Sequence, residues 1–160
     1  MKRICLGITL VLVLAIFPIV GQVDSPLYLN EKSELVVETI DGATATFKIV
    51  VVTESEDLAR GLMHIRFMPL DQGMMFLHDT RSNVSMWMKD TRLSLDMWFV
   101  AEGGSITKVV KDAQPMSTDL IRSDGAVIAV VEVNAGLSSL IGVTPGAQLR
   151  HLAFANVEND

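Results

Sequence analysis

Leu93-Ser94-Leu95-Asp96-Met97-Trp98-Phe99-Val100-Ala101, then Glu102-Gly103-Gly104, then Ile106-Thr107-Lys108-Val109-Val110-Lys111, reads as two β-strands joined by a glycine turn. Side chains alternate faces along a strand. Leu93, Leu95, Met97 and Phe99 therefore share one face, and Ser94, Asp96, Trp98 and Val100 the other. Glycines after the run allow the reversal, and the β-branched answer from Ile106 supplies an antiparallel partner.

The same punctuation recurs on both sides of this hairpin. Upstream, Glu34–Ile40 alternates, Asp41-Gly42 turns, and Thr44–Val52 is rich in β-branched residues. Thr53 and Glu56 have the spacing of a capping box, so Asp57–Arg60 is expected to be a short helix ended by Gly61 in a left-handed cap. Gly73–Leu77 and Val84–Lys89 read as separate strands. Downstream, Ser123-Asp124-Gly125 turns into Ala126–Val133, Asn134–Ile141 reads as a helix capped by Asn134 and ended by Gly142, and Gln148–Ala155 as a last strand. Gly73 and Gly136 fit tight turns at strand edges. The pattern predicts a mainly β or α+β fold: a compact barrel or sandwich of short, mostly antiparallel strands with two short helices. Helices this few and short argue against parallel βαβ architecture.

Ahead of this domain the chain has a different character. Met1-Lys2-Arg3 precedes the uncharged run Ile4–Val20, interrupted at Pro18, which has the order of a secretory signal. Ile4–Phe17 is short for a spanning helix, which needs roughly 20 residues. Residues 1–21 are read as a signal peptide or an uncleaved anchor, 22–33 as a linker, and 34–157 as one domain. The expected location is periplasmic or extracellular, with the membrane touched only through the N-terminal segment if it stays uncleaved. Cys5, the single cysteine, lies inside that segment, so the domain has no disulfide, thiol nucleophile or cysteine–zinc site. Without Lys2 and Arg3, the 13 basic residues fall to 11 against 19 acidic ones, near −8. Such a surface repels phosphate backbones, so nucleic acid is not expected as a partner.

Three sets of residues invite chemistry. Trp87 and Lys89, one strand step apart, can line a pocket where a ring stacks and an ammonium pairs with an anion; the bland reading is a half-buried Trp with a snorkelling Lys. Asp96 and Glu132 are carboxylates set among apolar residues, and such groups must be exposed, paired or hydrogen-bonded. Together they permit an acid–base pair of the glycosidase kind, or each can hold a turn. Met86 and Met88, with His64, offer thioether and imidazole ligands to Cu(I), against the ordinary use of Met as core filler. The scattered His64, His78 and His151 suggest no zinc site, and no cofactor motif is present.

Arg60-Gly61-Leu62-Met63, Gly73-Met74-Met75-Phe76, Trp87-Met88-Lys89-Asp90-Thr91 and Leu95-Asp96-Met97-Trp98-Phe99 resemble, in order, the signatures of the domain of unknown function 192 (DUF192) family. Pro115, Val131-Glu132-Val133-Asn134-Ala135-Gly136 and Gly142-Val143-Thr144-Pro145-Gly146 extend the likeness to about Val36–Leu152. That family usually has asparagine where this chain has Asp90, and a smaller apolar residue at Trp98. The resemblance implies a small, mostly β fold behind a signal peptide, and no established activity. Arg60, Trp87, Lys89, Asp96 and Glu132 are the signature residues that glycine-and-core logic leaves over. They are the candidate ligand site of a non-enzymatic envelope module that binds a small molecule or an envelope component. The competing readings are one internal network of Arg60, Asp96 and Glu132, a hydrolase of envelope sugars through Asp96 and Glu132, and a copper binder using Met86, Met88 and His64.

Overall fold

The computed structural model describes residues 25–157, with side chains through Phe154; the signal or anchor reading of residues 1–21 lies outside them. Seven strands form one curled half-barrel: β1 Lys32–Glu38, β2 Thr44–Val52, β3 Gln72–Met86, β4 Leu95–Val100, β5 Ile106–Ala113, β6 Ile121–Asn134 and β7 Gln148–Arg150. Their order across the sheet is β5-β4-β6-β3-β2-β1-β7. The two edges approach each other where Ile106 N–H donates to Ala147 at 2.9 Å and Gly146 N–H to Ile106 at 2.8 Å. Three short helices accompany the sheet, α1 Pro26–Leu29, α2 Ser55–Arg60 and α3 Leu137–Ile141. One more helix is present than the sequence predicts, because α1 forms inside the stretch read as a linker. Ser25 caps it, and Pro26 at the first turn supplies a helical φ without needing a donor.

Both predicted hairpins form. Asp41-Gly42 turns β1 into β2, with Gly42 at φ 86, and β4 pairs antiparallel with β5. The pair β2–β3 is parallel, in register from Lys48↔Gln72 to Val52↔Phe76. Residues 53–71 make the crossover this requires, with α2 as its helical part. The expected capping box at Thr53 does not form: the helix starts one residue later, on Glu54, with no side-chain cap. Gly61 leaves the helix at φ 47, ψ −130, outside the left-handed cap region.

β3 and β6 are each longer than expected. The polar run between Leu77 and Val84 reads as a loop in the sequence, yet it continues as an exposed ribbon paired to β6 across a bulge. Asn134 ends β6 and its amide donates to the carbonyls of Met68 and Pro69, each at 3.1 Å, so the cap of α3 passes to Gly136 in the left-handed region. The last predicted strand stops at Arg150 and gives way to a 3₁₀ turn, Leu152–Val157.

The central sheet is buried on both faces. One core, on one face of the sheet, gathers Leu35, Phe47, Ile49, Met75, Trp98, Val131 and Leu149, with Leu137 of α3 and Phe154. The other joins Val50, Met74, Phe76, Met97, Phe99 and Val130 to Leu62, Ile65 and Met68 of the crossover, with Leu27 of α1 and Met88. Every residue of β4 is buried as a result.

Candidate functional site

The second core is incomplete at one place, where the crossover, the end of β3 and the chain after it leave a cavity of about 70 Å³ open to solvent. Leu58, Arg60, Gly61 and Met63 form one wall, Met86, Trp87 and Thr91 the opposite wall, and Phe76 and Glu132 belong to the sheet beneath. A backbone bond from His64 N–H to the Asp90 carbonyl, at 2.9 Å, ties the two walls together. His64 and Asp90 both sit at positive φ, 65 and 54. Side chains rarely adopt that conformation unless the surroundings impose it. Aspartate and asparagine tolerate it best, which accounts for an Asx residue at position 90.

Glycines set the close approaches. A Cβ on Gly61 would lie 2.9 Å from the Phe76 ring, so glycine lets the crossover settle onto the sheet. A Cβ on Gly73 would lie 2.6 Å from the backbone oxygen of Glu132. Gly73 is thus inside β3, not at a strand-edge turn, and only its missing side chain lets β6 carry Glu132 this near.

Glu132 stands between Met74 of β3 and Met97 of β4 in the register, and all three are buried. Glu132 is 3% exposed, and no hydrogen bond from the described residues reaches its carboxyl. Burial alone pushes its pKa from 4.5 up to about 8. At neutral pH the group is mostly the uncharged acid.

The rim is different in kind. Trp87 is 44% exposed, and Lys89 Nζ lies 5.5 Å from its ring centroid, a cation–π arrangement. Arg60 is exposed at the end of α2 and lines the same mouth. Three of the five residues proposed from sequence, Arg60, Trp87 and Glu132, therefore line one cavity, and Lys89 flanks it through Trp87. Phe76, Met63, Leu58, Ser85 and Thr91 join them; only the glycines at 61 and 73 hinted at that enclosure.

Asp96 is elsewhere. It opposes Val133, one register step from Glu132, so it points through the other face of the sheet. There it is fully buried and accepts 2.9 Å hydrogen bonds from the backbone N–H groups of Asp112 and Ser138. Ser138 Oγ in turn accepts from Trp98 Nε1 at 2.8 Å. Asp96 thus anchors β5 and the first turn of α3 to β4. Asp96 and Glu132 share neither a cleft nor a hydrogen-bond network, which removes the geometry that a glycosidase pair, or one network with Arg60, requires. Of the thioether set, Met86 lines the cavity, Met88 is sealed in the core and His64 is exposed. Among the described residues no three His, Cys, Asp or Glu side chains gather as metal ligands, and no helix is long and apolar enough to cross a membrane.

Two solved structures share this architecture. A protein of Sinorhizobium meliloti 1021, described provisionally as a transcription regulator, is 35% identical, with a TM-score of 0.76 over 78% of this chain and 96% of its own. A protein of unknown function from Novosphingobium aromaticivorans DSM 12444 is 25% identical, with a TM-score of 0.73 over 86% of this chain and 91% of its own. No functionally curated protein matches the chain. The sequence profile of DUF192, "Uncharacterized ACR", matches residues 36–151, and on that match the chain belongs to the DUF192 family.

Proposed function

We propose that this protein is a non-enzymatic binding module of the cell envelope that takes a small ligand, or the end of a larger one, between Trp87 and Glu132. One observation carries the reading: a nearly buried carboxyl that no hydrogen bond from the described residues reaches, at a cavity that opens to solvent. A polar group in that position destabilises the folded chain, and strongly perturbed groups in clefts mark sites of function. Aromatic and thioether walls from Trp87, Phe76, Met63 and Met86 add apolar contact, and Arg60 supplies polarity at the rim. The volume suits a few heavy atoms, so the site accepts a side-chain-sized group.

Placement in the envelope rests on Lys2-Arg3 and the apolar run Ile4–Val20. Fusing residues 1–33 to a phosphatase that is active only outside the cytoplasm tests it; an inactive fusion refutes export. For binding, a panel of small amines, acids, alcohols and sugars is titrated while the red-edge emission of Trp87 is followed. A saturable change that Glu132→Gln abolishes supports the site; no change across the panel counts against it.

A further inference from the structure

We infer that the cavity is built for an organic cation, a primary alkylammonium whose charged end seats against Glu132 while its chain lies along Phe76, Met86 and Trp87. The inference rests on the binding reading above and deepens it by naming the ligand class. Three observations converge on it. First, among the described residues no side chain forms an ion pair with the carboxyl. Arg60, from α2, is the other charged residue lining the cavity, and it leaves no mark on the titration of Glu132, which burial alone sets. The remaining neighbours, Met74 of β3, Met97 of β4, Met63 of the crossover and Ser85 and Thr91 at the walls, bring no charge. Second, the Trp87 ring takes a cation: Lys89 Nζ lies 5.5 Å from its centroid, a place that an incoming ammonium would have to take over. Third, the chain is acidic, with 19 Asp and Glu against 13 Lys and Arg, and its field draws cations in.

An anion would find a single donor here, the O–H of the neutral acid, and would hold the carboxyl in its un-ionised form with no ion pair to gain. A neutral alcohol would find one hydrogen bond. An ammonium alone forms an ion pair and supplies the missing donors together. Formation of that pair converts the acid to its carboxylate, so the bound cation displaces a proton. The balance is simple: the ammonium keeps its three hydrogens, and the proton of Glu132 passes to solvent.

The test uses the chain from residue 22 onward, which contains every described element, and three four- or five-carbon probes: n-butylammonium, n-butanol and pentanoate. Calorimetry at pH 7 in two buffers of different ionisation enthalpy reads the proton count. The expected result is 1:1 binding of n-butylammonium with release of close to one proton. The affinity should rise about tenfold per pH unit from pH 6 to 8 and level off above 8, where the free acid is already ionised. The ¹³C shift of the Glu132 carboxyl at pH 7 should move to its carboxylate value on saturation. Glu132→Gln should weaken binding at least thirtyfold and abolish proton release, with its near-UV circular dichroism showing that the fold is kept. Equal affinity in Glu132→Gln, or binding without proton release, overturns the inference. Butanol or pentanoate binding in place of the amine, with a Trp87 response, overturns the ligand class while the pocket reading stands. Silence from all three probes brings down both.

Discussion

Asp96 and Glu132 are both buried carboxylates on neighbouring strands, one register step apart, and the sheet turns them to opposite sides. Asp96 meets two backbone N–H groups, each 2.9 Å away, and becomes part of the frame. Glu132 meets methionine, phenylalanine and a cavity, and is pushed toward its neutral form. Burial is the same in both cases, so burial alone says nothing about role. What separates the two acids is whether the described residues supply their hydrogen-bond partners.

The comparison breaks most readily at Asp96. Asp96→Ala removes two hydrogen bonds to a buried carboxyl and orphans two donors, a loss of about 5 kcal/mol. Urea unfolding should show a much lower midpoint, or the variant should fail to fold. A midpoint near that of the wild type would mean that α3 and β5 are held by something else.

Glu132→Gln should move stability the other way. The pKa of Glu132 in the folded chain, about 8, lies above its ordinary 4.5. Between those values the unfolded chain gives up its proton while the folded chain keeps it. Raising the pH across that window therefore favours unfolding by about 1.4 kcal/mol per unit, and the penalty stays constant above pH 8. The variant should lose this slope and gain up to about 4 kcal/mol over the wild type at pH 9, measured by denaturant titrations from pH 5 to 9. Parallel pH profiles for the two proteins would mean that the carboxyl is not isolated.

Gly73→Ala sharpens the same point through the backbone. The new Cβ must displace the Glu132 carbonyl, at a cost of about 2 kcal/mol, and the pH slope should flatten as water reaches the carboxyl. A thermal melt together with the pH series checks both. Trp87→Ala, at the exposed rim, should change stability by no more than about 0.5 kcal/mol while ligand affinity falls at least tenfold. A large loss of stability there would make Trp87 part of the core.

Much of this was legible in the chain. Asp41-Gly42 and Gly103-Gly104 announce their hairpins because their φ values, 86, 77 and 88, suit glycine. The residues of the site stood out as polar or aromatic members of motifs otherwise explained by packing. Their grouping could not be read, and the reason is the double burial of β4 and β6. Where both faces are apolar, alternation still sorts residues into two sets but no longer says which set faces what. Nothing within either strand reveals that Met97 lies opposite Glu132. The parallel pairing of β2 with β3 was hidden for a related reason: a six-residue α2 is a weak signal for a crossover, and the rest of residues 53–71 is irregular. The polar ribbon of β3 reads as loop because its hydrogen bonds run to β6, a partner far away in sequence.

That parallel pairing has an evolutionary corollary. Strands that run the same way cannot be joined by a tight turn, so any chain with this order of strands must send an excursion over the sheet between β2 and β3. The excursion supplies Leu58 through Met63, half the enclosure above Glu132, with Gly61 letting it lie against Phe76. One contiguous segment can thus change the shape of that wall without disturbing the strand pairing or the acid beneath it.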